Sequence, residues 1–331
     1  MIELADVLTA LQRIAGHIKH TPLLRLAALD PLLGFQVYIK PENVQDTGSF
    51  KLRGASNKLL SLSETARKRG VIAASSGNHA QGVAAAAAAL GVDALIVMPV
   101  DAPKAKIEGT QALGAKIVLH GRLASERNAR MKELAENDGR VIVHAYEDPL
   151  VIAGQGTAAL EILADEPEMA AIVAPVGGGG LISGLATAAK GVHPGIRMIG
   201  VEPLGAPRYS KSRAARQPLI VEVAATIADG TRGDSASPSN FPIIESRVDE
   251  LVSVDDEILK AAIYCFAKLG KLVVEPSGAL SLAAALGGRL SGLQGKKVCL
   301  FISGGNLDFG QYAAWLAQGA ENFARMFAVK A

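Results

Sequence analysis

A run of four glycines is the first feature of the sequence that could do chemistry. Gly177, Gly178, Gly179 and Gly180 stand between a predicted strand and a predicted helix, and Leu181 follows them. Glycine lets the backbone turn tightly and point its N–H groups at an anion, and the positive end of the helix dipole adds to the attraction. The segment matches neither a nucleoside-triphosphate loop nor a dinucleotide motif in its usual place. We therefore predict a phosphate site in preference to a flexible loop.

Two further polar loops follow predicted strands. The first comprises Ser75, Ser76, Gly77, Asn78 and His79. Its N–H groups and hydroxyls suit a carboxylate, although serine and asparagine are also ordinary helix caps. The second begins with Ser303, reads SGGN over 303–306, and has a plain turn as its alternative interpretation. Because open α/β sheets bind ligands beyond the carboxyl ends of their strands, we expect the three loops to meet in one crevice.

Lys51 is the candidate nucleophile. It stands in the segment 48–55, GSFKLRGA, where a hydroxyl, an aromatic ring and a predicted helix start lie close to it. Most lysines are solvated surface residues, but a desolvated lysine loses its proton and forms Schiff bases with carbonyl compounds. Such a lysine together with a phosphate site suggests pyridoxal phosphate, which carries both an aldehyde and a phosphate.

The segment 46–55, DTGSFKLRGA, resembles the lysine motif of fold-type II pyridoxal-phosphate enzymes, and is most similar to the branch of threonine/serine dehydratases and serine racemases. The resemblance extends over nearly the whole chain. The further matching segments are 75–82, 154–157, 177–180, 201–203, 226–230, 275–276 and 303–306. The resemblance implies an α/β fold of the tryptophan synthase β type, with two open parallel-sheet domains and the cofactor in the cleft between them.

The resemblance also implies roles for the candidate residues. Lys51 would hold the cofactor as a Schiff base and act as a base on one face of the substrate. Phe50 would pack beside the cofactor ring, and Asn78 would hydrogen-bond to the ring hydroxyl. Residues 177–181 would bind the phosphate through their N–H groups. Ser303 would face the pyridine nitrogen, where a neutral hydroxyl favours elimination over transamination.

The implied reaction converts a small β-hydroxy amino acid, L-threonine or L-serine, to a 2-oxo acid and ammonia, with residues 75–79 holding the substrate carboxylate. The alternatives are a serine racemase, a 3-hydroxyaspartate dehydratase and a dehydratase for a bulkier substrate. Ser76 bears on this choice. Racemases have serine there, as an acid/base opposite Lys51, whereas many threonine dehydratases have alanine. A cap hydroxyl for the following helix is the equally weighted interpretation of Ser76.

Serine racemase-like enzymes also bind a divalent cation through a glutamate, a carbonyl four residues later and an aspartate six residues later. The corresponding residues here are Glu202, Ala206 and Arg208. Because a guanidinium cannot ligate a hard cation, we expect no metal at these positions and expect Arg208 to pair with Glu202 instead. For His79 we expect a structural role. Glu275 either lines the cofactor ring or serves as a cap or salt-bridge partner.

The elements that must position these residues alternate along the chain. Short apolar runs predict strands at 36–40, 71–74, 94–99, 116–119, 141–144, 171–175, 198–202 and 297–303. Helical patterns cover 1–20, 80–90, 103–113, 123–137, 181–190, 255–269 and 277–290. This alternation predicts parallel sheets with right-handed crossovers. We divide the chain into a small substrate-side domain, 53–147, and a discontinuous large cofactor domain, 1–52 and 148–331. The polar stretch 203–242 is long enough to cover a site.

Composition excludes several classes of protein. Of 331 residues, 49% are hydrophobic, which is enough for a large core, and 34 basic against 32 acidic residues give no basic field for nucleic acid. Two cysteines exclude a disulfide framework. The longest apolar run, 82–92, is too short to span a membrane, and no leader pattern opens the chain. We expect a cytoplasmic homodimer that acts on a small amino acid, without nucleic-acid or membrane partners.

Overall fold

The computed structural model describes residues 1–75, 77–102 and 104–327, with the backbone alone at Ala105. Its strands within these ranges are β1 (Leu24–Arg25), β2 (Gln36–Pro41), β3 (Val71–Ala74), β4 (Ala94–Met98), β5 (Lys116–Leu119), β6 (Val141–Ile142), β7 (Ala171–Pro175), β8 (Arg197–Pro203), β9 (Glu250–Val254) and β10 (Lys297–Ile302). They form a six-stranded sheet in the order β1-β2-β10-β7-β8-β9 and a four-stranded sheet in the order β5-β4-β3-β6.

Helices cover the faces of both sheets. They are α1 (Leu4–Ile14), α2 (Asp30–Leu33), α3 (Lys51–Leu60), α4 (Glu64–Arg69), α5 (Asn78–Ala89), α6 (Lys104–Ala112), α7 (Ala124–Asp138), α8 (Pro149–Asp165), α9 (Gly180–Val192), α10 (Arg208–Ala215), α11 (Phe241–Arg247), α12 (Asp256–Cys265), α13 (Leu280–Leu286) and α14 (Phe309–Phe327). Among the described residues, none of the helices is long and apolar enough to cross a membrane.

The predicted α/β fold with two parallel-sheet domains is confirmed, with one correction. Strand β1 pairs antiparallel with β2, so the large sheet has an antiparallel edge. The short apolar runs at 71–74, 116–119 and 171–175 coincide with β3, β5 and β7. The helix predicted at 255–269 ends as α12 at Cys265 and continues as a π-helical turn. The boundaries at 52/53 and 147/148 stay a prediction.

Helix α8 links the two sheets, because it packs against α3 on one side and α9 on the other. The crossing with α3 requires glycine, since a Cβ atom on Gly154 would lie 2.6 Å from the Cα atom of Gly54. Gly54 lies three residues after Lys51, in the first turn of α3. The lysine at the start of α3 is therefore held against the large domain.

A buried network of four charges also fixes α3. Arg53 donates to both carboxylate oxygens of Glu42, at 2.7 and 2.8 Å, and to both of Glu161, at 2.6 and 2.8 Å. Lys40 donates to Glu161 at 2.6 Å. All four side chains are at most 6% exposed. Two cations thus balance two carboxylates inside the protein, which offsets the cost of burying them.

Candidate active site

The loop after β10 holds the start of α3. Phe50 donates its N–H to the carbonyl of Ser303 at 3.0 Å, and Ser49 forms an isolated antiparallel bridge with Gly304. Ser303 itself is buried. Since α3 begins at Lys51, these contacts bring the candidate nucleophile to the carboxyl end of β10.

Lys51 lies in an environment that favours its uncharged form. Burial lowers the pKa of its ammonium group to about 8. The Nζ atom donates to the carbonyl oxygen of Ala145 at 2.8 Å and lies 5.1 Å from the centre of the Phe50 ring. A carbonyl can orient the amine without adding a negative charge that would keep it protonated. Lys51 can therefore act as a nucleophile and a base near neutral pH.

The predicted carboxylate loop lies between β3 and α5 in the small sheet. Ser75, Gly77 and Asn78 are half-buried, and the Gly77 N–H donates to the Ser75 hydroxyl at 3.2 Å. His79 is buried, with Nε2 at 2.8 Å from the carbonyl of Val143. Burial, together with the charge of Lys51, lowers the pKa of His79 to about 3, so its ring is neutral. Ser76 lies outside the described residues.

Asn78 connects the two domains through a buried carboxyl group. Its Nδ2 atom donates to Glu275 at 2.7 Å, while its Oδ1 atom accepts from Asn306 at 2.9 Å. Burial, reinforced by the charge of Asp229, raises the pKa of Glu275 to about 8. Glu275 is the N-cap residue of the 3-10 turn that follows it, but its side chain makes no capping hydrogen bond. Among the described residues its carboxyl group forms no salt bridge and accepts from Asn78 instead, so the salt-bridge alternative was wrong. The role of Glu275 beside the cofactor ring stays a prediction.

The glycine run lies between β7 and α9 and is held from one side. The Gly178 carbonyl accepts from the Tyr209 hydroxyl and from Asn240 Nδ2, both at 2.9 Å, and the Gly177 carbonyl accepts from Arg208 Nε at 3.0 Å. In the described part of the chain, the N–H groups of Gly178 and Gly179 meet no protein acceptor. They are therefore available to an anion, as the sequence predicts.

Arg208 does not pair with Glu202, so that expectation was wrong. Its guanidinium donates instead to the carbonyls of Gly177 and Thr231. The Glu202 carboxylate accepts from the Tyr209 N–H and from the N–H and hydroxyl of Ser210, at 2.7 to 2.8 Å. Glu202 is thus satisfied by the first turn of α10. Among the described residues, no group of three or more His, Cys, Asp or Glu side chains is placed to hold a metal ion.

Two consecutive residues join Lys51 to the glycine run. Ala145 accepts the hydrogen bond from Lys51, and the ring of Tyr146 lies directly against Gly178, where a Cβ atom would collide with it. An aldehyde reacts with an amine such as that of Lys51, and a phosphate accepts from N–H groups such as those of the glycine run. The lowered pKa of Lys51, the free N–H groups and the glycine backbone thus fit pyridoxal phosphate.

Sequence reasoning missed several residues that shape this site. They are Ala145, Tyr146, Tyr209 and Asn240. The prediction that residues 203–242 cover a site could have directed attention to Tyr209 and Asn240. Ala145 acts through its backbone carbonyl, which leaves no signal in the residue type.

Comparisons with known proteins agree on one family. A family model described as "Pyridoxal-phosphate dependent enzyme" matches residues 14–304. The chain is 44% identical over 308 residues to an L-threonine ammonia-lyase of Thermotoga maritima, covering 93% of this chain and 76% of that protein. A structure of T.th. threonine deaminase aligns with a TM-score of 0.87 and 45% identity, over 93% and 99% of the two chains. A structure of maize serine racemase aligns with a TM-score of 0.91 and 36% identity, over 96% and 98%.

Proposed function

Because the chain belongs to the family of pyridoxal-phosphate dependent enzymes, we propose that it is an ammonia-lyase that dehydrates and deaminates a β-hydroxy amino acid, L-threonine or L-serine. The products are a 2-oxo acid and ammonia. The observation that carries the proposal is Lys51, a half-buried lysine whose pKa is lowered to about 8 by desolvation, in a chain 44% identical to a threonine ammonia-lyase.

Pyridoxal phosphate, when bound, supplies an electron sink for the charge left by loss of the substrate α-proton. The Nζ atom of Lys51 accepts that proton. With a pKa of about 8, roughly a tenth of the Lys51 side chains are unprotonated at pH 7 and about half at pH 8. The hydrogen bond to Ala145 orients Nζ, and the Phe50 ring covers one side of it.

The remaining sites are proposed on the same basis. The N–H groups of residues 177–181 bind the phosphate, with Gly180 and Leu181 opening α9. Asn78 binds the ring hydroxyl, and Ser303 faces the ring nitrogen. The loop of Ser75, Ser76, Gly77, Asn78 and His79 receives the substrate carboxylate at the N-terminus of α5, where the helix dipole favours an anion.

Racemisation of serine is the second candidate, and the likeness to maize serine racemase favours it. Removal and return of the α-proton require a second acid/base on the face opposite Lys51. Ser76 is the proposed group. The Ser76→Ala variant separates the two activities: it should lose formation of D-serine from L-serine, measured by chiral chromatography, while release of the 2-oxo acid persists.

The domain division at 52/53 and 147/148, the compartment and the assembly are also proposals. Both cysteines are buried free thiols, as a reducing cytoplasm permits. The homodimer rests on the family resemblance. Sedimentation equilibrium of the purified protein tests it, because a mass near that of one chain would contradict it.

The experiment that tests the function measures 2-oxo acid release across a panel of substrates. The panel holds L-threonine, L-serine, D-serine and both diastereomers of L-3-hydroxyaspartate. Lys51→Ala is the inactive variant, expected to lose at least about a thousandfold in rate. Lys58→Ala, on the same helix α3 and paired with Asp148, is the matched control.

Product from L-threonine or L-serine, absent in Lys51→Ala and present in Lys58→Ala, supports the proposed lyase. If the 2-oxo acid forms mainly from a hydroxyaspartate diastereomer, the enzyme is a 3-hydroxyaspartate dehydratase instead. No product from any member contradicts the lyase for these substrates.

A further inference from the structure

Arg208 is a buried cation that lacks a carboxylate partner among the described residues. The residue is 1% exposed, and it opens α10 immediately behind the glycine run. Its Nε atom donates to the Gly177 carbonyl at 3.0 Å and its Nη2 atom to the Thr231 carbonyl at 2.7 Å. The Nη1 atom has no acceptor in the same described ranges. The nearby Glu202 carboxylate is already occupied by Tyr209 and Ser210.

This arrangement differs from the other buried arginine. Arg53 faces two carboxylates, and its charge is balanced within the protein. Arg208 donates hydrogen bonds only to carbonyls in the part of the chain that the structure describes, and the carboxylates of Glu202 and Asp234 act on its charge without forming a salt bridge. Its charge is therefore less well balanced than that of Arg53, and a bound anion near the glycine run would complete the balance.

The contacts of Arg208 also determine which way the glycine run faces. In a trans peptide the C=O and N–H groups point in opposite directions. With the Gly177 carbonyl held by Arg208, the N–H of Gly178 points to the other side. The Gly178 carbonyl accepts from Tyr209 and Asn240, so the N–H of Gly179 points away from these two side chains. The anchors thus lie on one face of the run and the free donors on the other.

We propose that Arg208 is the positioning residue of the phosphate site: it orients the glycine run, and the phosphate dianion of the cofactor balances its buried charge. This inference rests on the proposed function only in that pyridoxal phosphate is the ligand. It requires a coupling between Arg208 and the bound phosphate. A residue that merely stabilised the fold would contribute equally with and without the cofactor.

The test uses Arg208→Met, which removes the charge at similar length, and Arg213→Gln as matched control. Arg213 lies on the same helix α10 and pairs with Glu245 at 2.7 Å. For each protein, the apoenzyme is titrated with pyridoxal phosphate to obtain Kd. Melting temperatures are then compared for the apoenzyme, for the apoenzyme with inorganic phosphate, and for the cofactor-loaded protein.

Arg208→Met should bind pyridoxal phosphate about ten- to a hundredfold more weakly, because the glycine run loses an anchor and the phosphate loses a nearby positive charge. Its rise in melting temperature with phosphate or cofactor should shrink, while the apoenzyme melts close to the wild type. Arg213→Gln should lose similar stability in all three states and keep the wild-type Kd. A Kd for Arg208→Met within about twofold of the wild type, or an equal loss of stability in all states, would overturn the proposal.

If Arg208→Met does not fold, Arg208→Lys is tested in its place. Lysine keeps the positive charge, but its single ammonium group cannot donate to both carbonyls with the geometry of the guanidinium. A Kd raised at least about threefold supports the proposal, and an unchanged Kd overturns it. These readouts are independent of turnover. If the wild-type protein binds pyridoxal phosphate but releases no 2-oxo acid, the proposed function is contradicted. The proposed role of Arg208 would be unaffected by that result.

Discussion

The two sides of the cleft are held in different ways. The side proposed to bind the cofactor phosphate, here the phosphate side, comprises residues 177–180 with Arg208, Tyr209 and Asn240, and its three anchoring side chains are at most 1% exposed. The side proposed to bind the substrate carboxylate, here the carboxylate side, comprises residues 75–79 without Ser76, and its described residues other than His79 are half-buried. The carboxylate side reaches the large domain through Asn78, which donates to Glu275 and accepts from Asn306. Helix α6 of the same small domain adds an ion pair of Lys106 with Asp229.

This difference suggests that the two sides have separate roles, one in cofactor binding and the other in substrate binding. The phosphate side is built before the ligand arrives, because its carbonyls are fixed by buried donors, and preorganised donors bind without an ordering cost. The carboxylate side depends on few contacts between the domains. Substitutions on the phosphate side should therefore change cofactor affinity, and those on the carboxylate side should change the KM for substrate.

A pair of glycine substitutions tests this division most strongly. Gly179 has φ of +91°, and a Cβ atom there would collide with the Tyr209 hydroxyl. We expect Gly179→Ala to weaken cofactor binding at least about tenfold, because both strain and clash oppose the loop conformation. A Cβ atom on Gly77 would meet nothing within 4 Å.

Gly77→Ala, the matched variant on the carboxylate side, should keep the Kd for pyridoxal phosphate and raise the KM for substrate a few-fold. Cofactor titration and steady-state kinetics on the same preparations measure both quantities. If both substitutions weakened cofactor binding equally, the two sides of the cleft would not have the separate roles described above.

Glu275 should make the stability of the apoenzyme depend on pH. Its pKa is raised from 4.5 to about 8, so the folded state holds a proton that the unfolded state has released between these values. Stability from this group is present below pH 4.5 and is lost as the pH rises towards 8, about 5 kcal/mol in total as an upper bound.

Glu275→Gln cannot ionise, so its urea-unfolding free energy should fall less between pH 5 and pH 8 than that of the wild type. Lys51, whose pKa is lowered to about 8, makes the free energy of unfolding rise with pH, but only above pH 8. His79, whose pKa is lowered to about 3, destabilises only as the pH falls below 6.5. Parallel pH profiles for the wild type and Glu275→Gln would show that Glu275 is already ionised at neutral pH.

The smallest effect is expected at the mouth of the cleft. Lys106 and Asp229 lie 3.2 Å apart across the two domains and are 35% and 60% exposed. Exposed pairs contribute about 0–1 kcal/mol, so Lys106→Ala should raise the KM by no more than about threefold and less so at high salt. Lys104→Ala, which removes a pair within helix α6, is the control. A salt-independent change would mean that Lys106 has another role.

The fold could largely be predicted because short apolar runs alternate with helical segments. Helix α8 was not predicted, since it is buried along nearly its whole length and lacks an amphipathic pattern. Strand β9 was missed for the opposite reason, because four of its five residues are only half-buried.

The candidate site was predictable where chemistry resides in residue type. Lys51, the glycine run and the SGGN segment are visible in the sequence. The contacts of the anchors are not visible, because Arg208 and Gly177 lie 31 positions apart, Asn240 and Tyr146 lie 94 apart, and each pair joins a side chain to a backbone carbonyl. Only the fold brings them together.

The most direct test of the account is to locate the cofactor on the chain. The protein loaded with pyridoxal phosphate is reduced with borohydride, digested and mapped by mass spectrometry. We expect a pyridoxyl group on the peptide that contains Lys51, and its absence from that peptide in Lys51→Ala. A pyridoxyl group at another lysine, with Lys51 unmodified, would contradict the proposal that Lys51 holds the cofactor.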